Sequence, residues 1–115
     1  MQIQFITRSA VPAIFLCAAI LLLGLPVGTP AQDAGAALFK TKCAACHGPD
    51  GKGETAMGKA NKLRDFSSAD VQKQTDAELA GIIETGKGKM PAYGKSLKPE
   101  QVKELVAYIR SLGKK

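Results

Sequence analysis

Three features of the sequence predict an all-α fold of three to four helices. No stretch alternates apolar and polar residues at the period of two that a half-buried strand requires. Thr75-Asp76-Ala77-Glu78 spells a capping box, and Leu79, Ile82 and Ile83 follow it at the i, i+3, i+4 spacing of one helical face. Val102, Leu105, Val106, Ile109 and Leu112 form a second apolar stripe, on a helix that Pro99 is suited to begin. The 115 residues fit one domain and contain no internal repeat.

Taken in order, the chain opens with an uncharged run over residues 10–31 that contains Ile14-Phe15-Leu16 and Ile20-Leu21-Leu22-Leu23. Arg8 precedes it and Thr29-Pro30-Ala31 offers small residues for cleavage, so residues 1–31 read as a secretory signal peptide. The competing reading is an uncleaved anchor, since about 20 residues span a bilayer. Pro12, Gly24, Pro26, Gly28 and Pro30 interrupt the run as a helix and favour cleavage. The folded domain is then 32–115, exported to the periplasm and soluble, or tethered to the outer face of the inner membrane if the run stays attached. Cleavage removes Cys17 and leaves only Cys43 and Cys46, which is not a disulfide framework.

The first helix is expected from about Asp33, as N-cap, to Lys42. Gly35 and Phe39 share one of its faces. A helical Gly costs about 1 kcal/mol against Ala; either another helix approaches closely there or Gly35 sits in a frayed first turn. Gly48-Pro49-Asp50-Gly51-Lys52-Gly53 is a turn-rich loop. Residues 54–65 carry no clear period, with Leu63 and then Phe66 as apolar points. Ser67 or Ser68 can cap a short helix through Val71. The capped helix from Thr75 ends at Gly86, a Gly-rich loop covers residues 86–94, and the last helix runs from Pro99 to Gly113.

The chemistry is concentrated in Cys43-Ala44-Ala45-Cys46-His47, the C-x-x-C-H pattern of covalent haem attachment. Each thiol can add across one haem vinyl group to form a thioether, and the adjacent imidazole then serves as proximal iron ligand. His47 is the only His in the chain. A zinc site would need a second Cys or His cluster, and a redox dithiol of the thioredoxin kind would need a βαβ context. A plain disulfide staple would leave the adjacent His without a role. For the sixth iron position the candidates are a Met, Lys, Tyr or Cys, or an open site. Met57 follows too soon after His47 to leave chain for walling a pocket. Met90 lies in the Gly-rich loop, where Pro91 holds its backbone extended, and is the favoured ligand.

The formal charge is +6, from 16 Lys and Arg against 10 Asp and Glu. No basic run with interleaved aromatics is present, so nucleic-acid binding is not indicated. Lys40, Lys42, Lys52, Lys87, Lys89 and Lys95 flank the ligand-bearing segments and could steer an acidic partner, or simply be solvated surface. A domain this small, with few aromatics, has little core of its own, so the haem-free protein is expected to fold poorly.

Cys43-Ala44-Ala45-Cys46-His47-Gly48, Lys89-Met90-Pro91-Ala92-Tyr93 and Leu105-Val106-Ala107-Tyr108-Ile109 together resemble a class I monohaem c-type cytochrome, in order and spacing, over nearly all of residues 32–115. The resemblance implies a small cytochrome c fold wrapped around one covalently bound haem c, with iron held by His47 and Met90. It implies that the first and last helices cross through Gly35, Phe39, Leu105 and Tyr108. The implied role is a monomeric one-electron carrier between donor and acceptor proteins of a respiratory or photosynthetic chain, with acidic docking surfaces on those partners and no catalytic residue. A haem-based sensor or peroxidase with a labile sixth position is the alternative. One departure stands out. Many members place a Pro after the His-Gly whose carbonyl accepts the His Nδ1–H; here only Pro49 is near, too close, so another backbone carbonyl is expected to orient His47.

Overall fold

Thr29 sets where the first described helix begins. The computed structural model describes residues 28–115; the uncharged run and Cys17 lie outside the described residues except at the run's end. Helix α1 spans Pro30–Lys42, with Thr29 as N-cap and Pro30 in its first turn. The Thr29 backbone N–H donates to Gln32 Oε1 at 2.9 Å and the Gln32 N–H donates to Thr29 Oγ1 at 3.4 Å. This capping box, rather than Asp33, starts the helix. Asp33 instead sits in the first turn, where its negative charge favours the helix dipole. The Ala31–Gln32 bond, read as a cleavage site, therefore lies inside α1.

Three short helical turns come next: α2 (Ala44–His47), α3 (Ala56–Ala60) and α4 (Ala69–Gln72). Two longer helices complete the described residues, α5 (Asp76–Thr85) and α6 (Pro99–Leu112). The three to four helices expected correspond to α1, α4, α5 and α6; α2 and α3 are additional, each barely one turn. α5 carries the expected box, with the Thr75 N–H donating to Glu78 Oε2 at 2.6 Å and the Glu78 N–H to Thr75 Oγ1 at 3.2 Å. Among the described residues the only extended pairing is an isolated bridge between Lys87 and Met90.

α1 packs on α6 at Gly35. A Cβ placed on Gly35 would fall on the Glu104 carbonyl and lie 3.0 Å from Tyr108 Cβ, so the close-approach reading of this glycine holds. One turn on, Phe39 is 2 % exposed, Leu105 is 1 % exposed, and the Phe39 and Tyr108 ring centroids are 5.1 Å apart. Leu79 and Ile83 of α5, Val71 of α4, and Val102, Val106 and Ile109 of α6 close the core around them. Gln72 and Arg110 tie α4 to α6: Gln72 Nε2 donates to the Phe66 and Ile109 carbonyls, and Arg110 donates to the Gln72 and Gln74 carbonyls and to Asp76. Among the described residues no helix is long and apolar enough to cross a membrane.

Candidate haem-binding site

The site is built on one turn of helix. α1 ends at Lys42, and the Cys43 N–H closes it on the Phe39 carbonyl at 2.8 Å. α2 then winds through Ala44–His47 until Gly48, at φ +81°, ends it in a conformation that side-chain residues rarely adopt. On such a turn residues at i, i+3 and i+4 share a face, so Cys43, Cys46 and His47 are presented together. Gly53, Thr55 and Gly58 fix the backbone beneath. The Gly53 N–H donates to the His47 carbonyl at 2.7 Å, and Thr55 Oγ1 donates to the Cys46 carbonyl at 2.5 Å. The same Thr55 oxygen caps α3 by accepting from the Gly58 N–H at 2.9 Å. A Cβ at Gly58 would strike the Gly53 and Cys46 carbonyls, so α3 lies directly on the attachment segment. Sequence reasoning missed α3 because it has no apolar stripe; Thr55 three residues before Gly58 was the available signal.

Cys43, Cys46 and His47 face a cavity of about 860 Å³. Phe39 of α1, Leu79, Ile82 and Ile83 of α5, and Leu105 and Ile109 of α6 contribute its apolar wall, with Phe66 and Leu63. Met90 reaches the same cavity from a tight turn. Its N–H donates to the Lys87 carbonyl at 3.0 Å and its carbonyl accepts the Lys87 N–H at 3.2 Å, around Gly88 at φ +60°. The Tyr93 and Gly94 N–H groups anchor that loop on the Ile83 and Glu84 carbonyls, and Tyr93 Oη donates to the Lys42 carbonyl at 3.2 Å, just before Cys43. Met57 also lines the cavity but is 53 % exposed.

Burial controls the protonation of these groups. It pushes the Cys43 thiol up to about 11, with Cys46 adding to the rise, so the Cys43 sulfur is a neutral thiol at pH 7. Burial lowers His47, which keeps the imidazole neutral and able to ligate a metal. His47 Nδ1 is buried and has no hydrogen-bond partner among the described residues, so the carbonyl expected to orient it is not found among them. Instead the imidazole stacks on Phe66, with centroids 4.6 Å apart and planes 27° from parallel. Of the six lysines that flank the ligand-bearing segments, Lys42, Lys87 and Lys89 line the cavity and Lys40, Lys52 and Lys95 do not. Lys62 and Arg64, which the sequence did not single out, do line it, and no Asp or Glu does.

The donor set fits a haem. No group of three or more His, Cys, Asp or Glu is assembled among the described residues. A large apolar cavity beside two thiols and an imidazole, with a thioether also at its wall, matches a flat apolar macrocycle carrying its own iron. Residues 30–109 match the family described as cytochrome C oxidase, cbb3-type, subunit III. A cytochrome c6 from Aphanizomenon flos-aquae is 35% identical over 75 residues, covering 65% of this chain and 83% of that protein. The chain belongs to the class I monohaem c-type cytochromes. This cytochrome is also 37% identical over 89 residues to the cbb3-type cytochrome c oxidase subunit FixP of Azorhizobium caulinodans, covering 76% of the chain but only 29% of that subunit. It thus spans about three-tenths of the length of the oxidase subunits it matches. Among solved structures, the KustC0563 c-type cytochrome aligns at a TM-score of 0.63 with 34% identity, over 68% of this chain and 95% of that one. This cytochrome therefore has the c-type haem fold and family in common with those proteins.

Proposed function

We propose that the chain is a one-electron carrier that holds a single haem c through thioethers at Cys43 and Cys46, with His47 and Met90 as the two iron ligands. One observation carries this reading: the Cys43–Cys46–His47 turn and Met90, far apart in sequence, line the same apolar cavity. The haem supplies the one-electron couple of its iron. The chain's own residues hold and tune it. α2 presents sulfur and imidazole on one face, the anchored turn at Lys87–Met90 delivers the Met90 thioether, and the apolar walls of α5 and α6 exclude water. A Met thioether favours the reduced metal, so a comparatively high reduction potential results. No side chain is asked to move a proton, and no catalytic residue is assigned.

The cationic rim of Lys42, Lys62, Arg64, Lys87 and Lys89, free of lining carboxylates, supports docking by acidic surfaces on donor and acceptor. Residues 1–31 are read as an export signal, giving a soluble periplasmic monomer beginning at Gln32; an intact run would tether the same domain to the membrane. N-terminal sequencing of the protein from its host separates the two.

Visible spectra of the purified protein, oxidised and reduced, with and without carbon monoxide, test the site. A low-spin c-type spectrum with the far-red Met–iron band, unchanged by carbon monoxide, is the expected result. A high-spin spectrum that responds to carbon monoxide would replace this reading with a sensor or peroxidase. Protein that carries no haem after maturation in a competent host would remove it.

A further inference from the structure

His47 is held without a hydrogen bond at its buried nitrogen. Nδ1 has no partner among the described residues, although a ligating His ordinarily donates its second N–H to a carboxylate, carbonyl or water that sets the ring plane and strengthens the ligand. What contacts the ring is Phe66, stacked at 4.6 Å. Phe66 is itself fixed from several sides. Its N–H donates to the Gly51 carbonyl at 2.9 Å and its carbonyl accepts from Gln72 Nε2 at 2.7 Å, so both backbone groups are tied, one of them to the loop that leaves His47. Gly51 gives the ring its seat: a Cβ there would lie 3.0 Å from Phe66 Cδ2, on a backbone at φ +72° that only glycine adopts readily. Behind Phe66 stands Phe39, at 5.9 Å and edge-on, and behind Phe39 stands Tyr108 at the α1–α6 crossing.

We propose that Phe66 is the positioning residue for His47: its ring, backed by Phe39, sets the imidazole plane that a hydrogen-bond acceptor on Nδ1 would otherwise set. This rests on His47 being the proximal ligand. Two consequences separate it from simple packing. The plane of an axial imidazole fixes how unpaired spin is distributed over a ferric haem, so loosening the ring changes the pattern of paramagnetically shifted haem methyl resonances. An Nδ1–H without an acceptor leaves the imidazole a weaker electron donor, which raises the reduction potential further.

The test is made on haem-loaded protein whose visible spectrum is already that of a six-coordinate c-type haem, so its failure leaves the ligand assignment standing. In proton NMR of the ferric state, Phe66→Leu should change the order or spread of the four haem methyl shifts, and Phe66→Tyr, which keeps the ring, should restore them. A Phe66→Leu protein with the wild-type methyl pattern would overturn the proposal. A second measurement needs no variant. In the ferrous wild-type protein the His47 Nδ1–H should resonate where an imidazole N–H without an acceptor does; a downfield, hydrogen-bonded shift would overturn it equally.

Discussion

Met90 and Met57 both line the cavity, and their surroundings separate them. Met90 is half-buried against the core, its backbone is paired on both sides with Lys87, and its loop is tied to α5. Met57 is 53 % exposed on α3. Met90→Ala should therefore open the sixth position: the far-red band is lost, carbon monoxide binds the reduced protein, and the potential falls because a thioether ligand raises it. Met57→Ala should leave all three unchanged, which visible titration with carbon monoxide checks directly. That Cys43, Cys46 and His47 share one face was legible because their spacing is local: a turn of helix puts i, i+3 and i+4 together. The environment of His47 was not. Phe66 stands well beyond it in sequence, in a stretch with no period, and only the tertiary ties of Gly51 and Gln72 bring the two rings together. The same distance hid the carbonyl question: the missing Pro was visible, but not that no described residue would replace it at Nδ1.

At the scale of elements, the contact between α1 and α6 and the cap of α5 are the features most open to test. Gly35→Ala would gain about 1 kcal/mol of helix propensity. Its Cβ would fall on the backbone carbonyl of Glu104, which moves only if α6 moves, and such overpacking costs about 1–3 kcal/mol. Net destabilisation is expected in denaturant unfolding of the haem-loaded protein; a variant as stable as wild type would show that the helices yield. Thr75→Ala should cost about 1 kcal/mol by removing the N-cap. The hydrogen bond from the Thr75 N–H, and then that from its hydroxyl, hold the exposed Glu78 carboxyl below its ordinary 4.5. Between those two values the unfolded chain binds more protons than the folded one. The box is therefore at full strength above pH 4.5 and weakens as pH falls below it. Glu78→Gln should flatten that acid dependence, read as the unfolding midpoint at about pH 7 and about pH 4. The α5 and α6 boundaries were readable since box and stripe lie within a few residues of each other. The start of α1 was misplaced because Thr29-Pro30-Ala31 serves equally as a cleavage signal and as the opening of a capping box completed by Gln32. α3 escaped because backbone proximity at Gly53 and Gly58 holds it, not an apolar face.

Across the whole molecule, charge is distributed unevenly around the cavity. The chain carries 10 acidic residues, yet none lines the cavity, while Lys42, Lys62, Arg64, Lys87 and Lys89 do. An electron leaving or reaching the cavity would therefore cross a mouth that attracts negative surfaces. Such steering raises association rates by roughly 10- to 1,000-fold and is screened over a Debye length of about 10 Å at 0.1 M salt. Reduction by an acidic redox protein, followed by stopped flow, should slow steeply as ionic strength rises. Location makes the prediction sharper than net charge alone. Replacing Lys62 and Arg64, or Lys87 and Lys89, with Gln should lower the low-salt rate and flatten the salt slope. The same change at Lys40, Lys52 and Lys95, which lie off the cavity, alters net charge by at least as much but should change the rate less. Equal effects from both sets would mean that only the overall charge matters, and a rate indifferent to salt would mean that the cationic rim plays no part in docking.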